Sequence, residues 1–245
     1  MKLFFLFSYY CKNGKGMFFY GSMCLAISRM FQMIAFFLPI KILIMLSSET
    51  KPEYLSLLTD YIPYQEVVLS LALAVPLVYF LHLLFGVAYR RCIDRDLKGH
   101  DNDENNIRWV GKLSYNKIKK LHNHSSKAFS DCLLVIVSLT VLTYIDYSLT
   151  IAVMILIFVD AVMFTEFAYY KKDTERLTVF KLHKRQFIEY ISSINYLFIF
   201  ALLVLIMTVY ESNVYSVILA LLLSRQAFQA LQRFSIENLY IAKHI

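Results

Sequence analysis

Apolar runs of about 20 residues or more recur along this chain, and the segments between them are short and charged. A hydrocarbon layer about 30 Å thick takes about 20 apolar residues per helical crossing. Six stretches provide that length: residues 17–46, 65–89, the later part of 112–144, 149–170, 188–210 and 214–233. The mean hydropathy is +0.54 and 58% of the 245 residues are hydrophobic, too apolar a balance for a soluble domain. Alternating strands of about ten residues are not apparent, which favours a helical bundle over a barrel. The expected fold is an all-α membrane protein of six transmembrane helices, with residues 1–16 as an N-terminal segment and residues 17–245 as the membrane domain.

The charged segments set the orientation. Residues 81–127 hold ten of the 25 Lys and Arg residues, residues 171–185 hold six, the N-terminal segment three and the C-terminal region two. Lys51 is alone in the gaps on the other side. Lys and Arg collect in cytoplasmic loops, so both termini and the loops 90–127 and 171–187 are expected in the cytoplasm, with the bundle in the plasma (inner) membrane. The same rule accounts for the net charge of +7 and the pI near 9.1 with lipid, and no nucleic acid, as the partner.

Residues 1–16 combine an apolar patch with Lys12, Lys15 and two glycines but no small-residue cleavage site, which reads as a short helix at the inner interface. Pro52 and Pro63 punctuate an outer loop. Ile118, Leu121, Ser125, Ala128 and Cys132 recur at steps of three and four. The third helix is therefore expected to begin near residue 112, in the cytoplasm, and to run for roughly 50 Å. After Gly111 the chain has neither glycine nor proline, so its later helices meet no breaker.

Little in the chain points to catalysis. The four cysteines are scattered, and His122 and His124 are two positions apart, which turns them to different sides of a helix with no third ligand near. No metal site is expected. No GxxxxGK[ST] occurs, and glycines at only 14, 16, 21, 86, 99 and 111 cannot build a phosphate-binding loop. ATP hydrolysis therefore cannot reside in this polypeptide, which carries no cofactor of its own.

Three local patterns narrow the class. The first span contains FFLPIKILI with Pro39, spans three and four are joined by YIDYSLT at residues 144–150, and span six contains SRQAFQALQRF at residues 224–234. Together these resemble the transmembrane domain of an ABC exporter lacking its nucleotide-binding domain. The resemblance implies a homodimer or a dimer with a related subunit, exchange of spans four and five between partners, and a separate ATPase that supplies ATP chemistry. It also implies coupling elements near residues 98–109 and 176–184. In that reading Asp101, Asp103, Glu104, Arg108, Trp109, Arg176, Lys181 and Lys184 form the partner-docking loops. The second inner loop is shorter than the family's, which leaves a second expectation: a non-transporting scaffold or accessory subunit of a larger membrane complex.

Ionisable residues inside spans are the remaining pointers, because burying them costs several kcal/mol unless they are paired or hydrated. Counted from the outer turns at about 1.5 Å per residue, Asp160 and Arg225 fall at roughly 16 to 20 Å, near the midplane. They are expected either to pair or to line a path. Gln226, Gln229 and Gln232 recur every third residue on a face too polar for lipid and are expected on the same path or at a subunit interface. Arg29, His82 and Glu166 lie deeper, where snorkelling, a structural pair or an interhelical hydrogen bond accounts for them. Asp131 and Glu189 read as ordinary membrane-boundary residues.

Overall fold

A computed structural model of the chain describes residues 16–47, 63–101, 115–169, 182–209 and 214–244. Among these residues no strand occurs, and six helices are long and apolar enough to cross a membrane. They are α1 (Met17–Ser47), α2 (Tyr64–Asp101), α3 (Tyr115–Ile145), α4 (Tyr147–Met163), α5 (Lys184–Val209) and α6 (Val214–His244). A π-helical turn at Phe164–Tyr169 extends α4. The interfacial segment expected at the N-terminus, most of the outer loop and the tips of both inner loops lie outside the described residues.

Two helices outrun the spans read from sequence. Span two was bounded at residue 89 and span six at residue 233, but α2 continues to Asp101 and α6 to His244. Polarity ends a membrane span; it does not end a helix that still has a neighbour to pack on. The extension of α2 meets α3, where Asp96 Oδ2 lies 2.8 Å from His122 Nε2. The extension of α6 meets α3 as well, through Glu237 and His124.

The third and fourth helices are separated by one residue. Asp146 sits in extended backbone at φ −153° and ψ 108°, and its side chain accepts from the Leu149 amide at 3.0 Å. That bond satisfies one of the amides left unpaired at the start of α4. The Asp146 carbonyl meanwhile accepts from the Thr150 hydroxyl at 2.8 Å. The YIDYSLT pattern is thus a capped hairpin of two helices.

Assembly follows small residues. In lipid, apolar burial does not by itself drive helices together, so close approach and interhelical hydrogen bonds decide the neighbours. On α1, a Cβ placed at Gly21 would lie 3.3 Å from Cys92 Cβ and 3.3 Å from Ile93 Cδ1 of α2, so the glycine permits that contact. The buried face of α3 carries Ser126, Ser130, Leu134, Ser138 and Leu142 at steps of four, and it lies along Ala220, Ser224, Ala227 and Ala230 of α6. Ser22 of α1 and Ser126 of α3 share a hydrogen bond of 2.9 Å.

The stripe expected on α3 needs one correction. Leu121, Ser125 and Ala128 are buried, but Cys132 is exposed and Asp131 takes its place. A four-residue step overshoots a turn of 3.6 residues, so the buried face advances by three at that point. The Ile118 side chain lies outside the described set.

Helices α4 and α5 close onto α6 of the same chain. Leu149, Val153, Ile199, Leu203, Ala220 and Leu223 form one buried cluster near the turn end. Phe164, Phe187, Ile188 and Leu231 form another towards the end that holds both termini. The outward faces, such as Leu69, Leu73, Leu77 and Leu84 of α2, are exposed and apolar, as lipid contact requires.

Candidate functional site

A cavity of about 550 Å³ opens between α1, the middle of α2 and α6. Its α1 wall is Arg29, Gln32, Met33, Ala35 and Phe36, and Tyr79 closes it from α2. The α6 wall is Leu222, Arg225, Gln226, Gln229 and Arg233. Spacings of three, four and seven residues put that α6 set on one stripe of the helix. From the turn end, Arg225 is roughly 16 Å deep and Arg29 and Arg233 are roughly 27 to 29 Å deep at 1.5 Å per residue. The cavity therefore runs from mid-membrane to the basic end of the bundle.

Its floor is an ion cluster centred on Asp131 of α3. Asp131 is fully buried, and its Oδ1 accepts from Arg233 Nε at 2.9 Å and from Arg29 Nη1. One carboxylate thus joins three helices, α1, α3 and α6. Two guanidiniums against one carboxylate leave an excess of positive charge. Neither Asp131 Oδ2 nor Arg233 Nη2 has a hydrogen-bond partner among the described residues.

Arg225 contributes a third guanidinium. It is exposed, its Cζ lies 5.8 Å from the centroid of the Tyr196 ring of α5, and it has no ion pair among the described residues. A cation over an aromatic face retains its charge and much of its hydration. The upper part of the cavity is therefore cationic while its walls alternate between glutamine and apolar side chains.

The pairing of Asp160 with Arg225 expected from their equal depth does not form. Asp160 is buried between α4 and α5, where its Oδ1 accepts from Asn195 Nδ2 at 2.6 Å. Depth is one coordinate only, and the rotation of α4 turns Asp160 away from the cavity. Gln226 and Gln229 line the cavity, but Gln232 does not. Gln232 lies just past the Arg225 edge of the stripe, about 120° round the helix from Gln226, whereas Arg233, seven residues past Gln226, returns to within about 20° of it.

The other candidates resolve individually. His82 lies 2.9 Å from both the hydroxyl and the carbonyl of Ser28, an interhelical bond between α1 and α2. Glu166 is exposed on the π-helical turn, and Glu189 pairs with Arg185 one turn away at 2.8 Å. His122 turns to α2 and His124 to α6, as an offset of two residues on a helix requires. Among the described residues no three His, Cys, Asp or Glu side chains group as metal ligands. Lys184 opens α5. Asp103, Glu104, Arg108, Trp109, Arg176, Lys181 and the Asp101 side chain lie outside the described residues.

The residue that sequence reasoning undervalued is Asp131. Measured from the Asp146 turn it lies roughly 22 Å deep, between Arg225 and the deeper Arg29 and Arg233, a depth at which a carboxylate needs a partner. The polar run before it, through Lys127 and Ser130, gives it the look of a boundary residue.

Helices and cavity together define a multi-pass α-helical membrane protein with a charged cleft at membrane depth. No protein-family model, curated protein or solved structure matches the chain.

Proposed function

We propose that this chain is the membrane-spanning subunit of an export system of the ABC-exporter type, held in the plasma membrane with both termini in the cytoplasm. It works as a homodimer or beside a related subunit, and a separate ATPase energises it. The observation that carries the reading is the cavity, which exposes Arg225 at mid-membrane and continues to Arg29 and Arg233. A purely structural span gains nothing from an exposed guanidinium at that depth, whereas a translocation path needs hydrated polar groups there.

Helix length supports the link to an ATPase. With 38 residues, α2 is roughly 57 Å long, about twice the hydrocarbon thickness, so its last turns stand clear of the bilayer. Those turns and the start of α3 would receive the stroke of the partner. Purification in mild detergent followed by ATP-dependent transport in inverted vesicles tests the reading. Association with a nucleotide-binding protein and transport stimulated by ATP are expected; absence of both sinks it.

The second reading, a scaffold or accessory subunit, is favoured by the connection between Tyr169 and Lys184, too short for a second helical stalk of the exporter kind. It expects charge reversal within residues 90–127 to abolish partner binding while substitution of Arg225 leaves function intact.

A further inference from the structure

Resting on the transport reading of the same cavity, we propose that its ligand is an anionic amphiphile, gripped by Arg225, Arg233 and Arg29 through a phosphate or carboxylate headgroup. Three guanidiniums converge on one cavity of about 550 Å³, and the nearest carboxylate, Asp131, bonds two of them and leaves Arg225 uncompensated. Glu237, the next acid on α6, is engaged by His124. Asp160, the acid at the depth of Arg225, lies outside the cavity lining and accepts from Asn195 between α4 and α5. The cavity is thus short of negative charge, and Arg233 Nη2 is a buried donor with no acceptor among the described residues.

Guanidinium suits such a headgroup because its forked donors match two oxygens of a carboxylate or phosphate. Gln226 and Gln229 add neutral donors beside it. Above the charged floor, Met33, Phe36 and Leu222 offer an apolar wall for a chain attached to the headgroup. A cation, or a neutral sugar with no charge to offer, would leave the excess positive charge unmatched.

Binding is measured on the delipidated full chain in neutral detergent, with no ATPase and no transport step. The probes are dioleoyl phosphatidylglycerol, dioleoyl phosphatidylcholine and inorganic phosphate, read by native mass spectrometry and by shift of the melting temperature. Phosphatidylglycerol is expected to bind at least about tenfold more tightly than phosphatidylcholine, the scale of one charge-assisted hydrogen bond. Arg225→Gln should remove most of that preference, Arg225→Lys should keep part of it, and Arg185→Gln, at the start of α5 and outside the cavity lining, should change nothing. Gln226→Glu, nearly isosteric, should weaken anion binding if Arg225→Gln proves unstable. Competition by inorganic phosphate identifies a free anion as sufficient; its failure to compete while phosphatidylglycerol binds identifies the attached chain as required. Equal binding of the two lipids, or unchanged preference in Arg225→Gln and Gln226→Glu, overturns the proposal. An ATPase found by co-purification would then still support the transport reading, and anion binding with no ATPase would leave the ligand assignment standing without it.

Discussion

The two sides of α6 solve the burial of polar groups in opposite ways. Towards α1, charged and amide side chains line an open cavity, and a single carboxylate, Asp131, ties Arg29 and Arg233 beneath it. Towards α4 and α5, the contact is mainly apolar, with Asp160 Oδ1 accepting from Asn195, Asp160 Oδ2 buried without a partner among the described residues, and the Ser192 hydroxyl donating to the Phe228 carbonyl at 3.1 Å. A carboxylate closed in by packed helices fixes their rotation and opens no cavity. A charged cluster with donors to spare holds helices apart and leaves room for something else.

The largest expected effect tests the cavity side. Asp131→Ala leaves two guanidiniums without their shared partner and should cost about 3–5 kcal/mol, seen as a large fall in the unfolding midpoint in detergent. A loss no greater than that of Asp160→Ala would erase the distinction between the sides. Next, Gly21→Val should cost about 1–3 kcal/mol by forcing α1 from Cys92 and Ile93 of α2. Gly86→Ala, whose Cβ would meet only Ser28 Oγ at 3.6 Å, should be tolerated in the same assay. On the apolar side, Asp146→Ala removes the cap of α4 and should cost about 1 kcal/mol, with faster amide exchange confined to the first turn of that helix. The smallest effect belongs to the double replacement Asp160→Leu with Asn195→Leu. Removing the buried carboxylate, one oxygen of which has no partner among the described residues, together with its donor should shift stability by less than about 1 kcal/mol, and a larger loss in thermal unfolding would show that the hydrogen bond outweighs the burial penalty.

Much of the fold was legible because span length and hydropathy are sums over adjacent residues. The first helix runs from Met17 to Ser47, the third ends at Ile145 and the sixth starts at Val214, each within about one residue of the boundaries read from the chain. A tight turn at Asp146 and Tyr147 was legible too, as the break between two apolar runs; that Asp146 alone forms it and caps α4 was not. The site was legible in part. Arg225, Gln226 and Gln229 were marked by polarity at membrane depth, and all three line the cavity.

What escaped sequence reasoning was every feature that depends on rotation and neighbour choice. Equal depth suggested Asp160 for Arg225, but only the packed bundle turns Asp160 to Asn195 and leaves Arg225 over Tyr196. Asp131 lies 102 residues along the chain from Arg29 and 102 from Arg233, and their meeting required α1 and α6 to flank α3. The sequence by itself determined that six helices cross a membrane, because the hydrocarbon layer tests each residue against the same solvent. Only the tertiary structure decided which charges share a cavity, because an ion pair depends on a few ångströms between helices that no local sum contains.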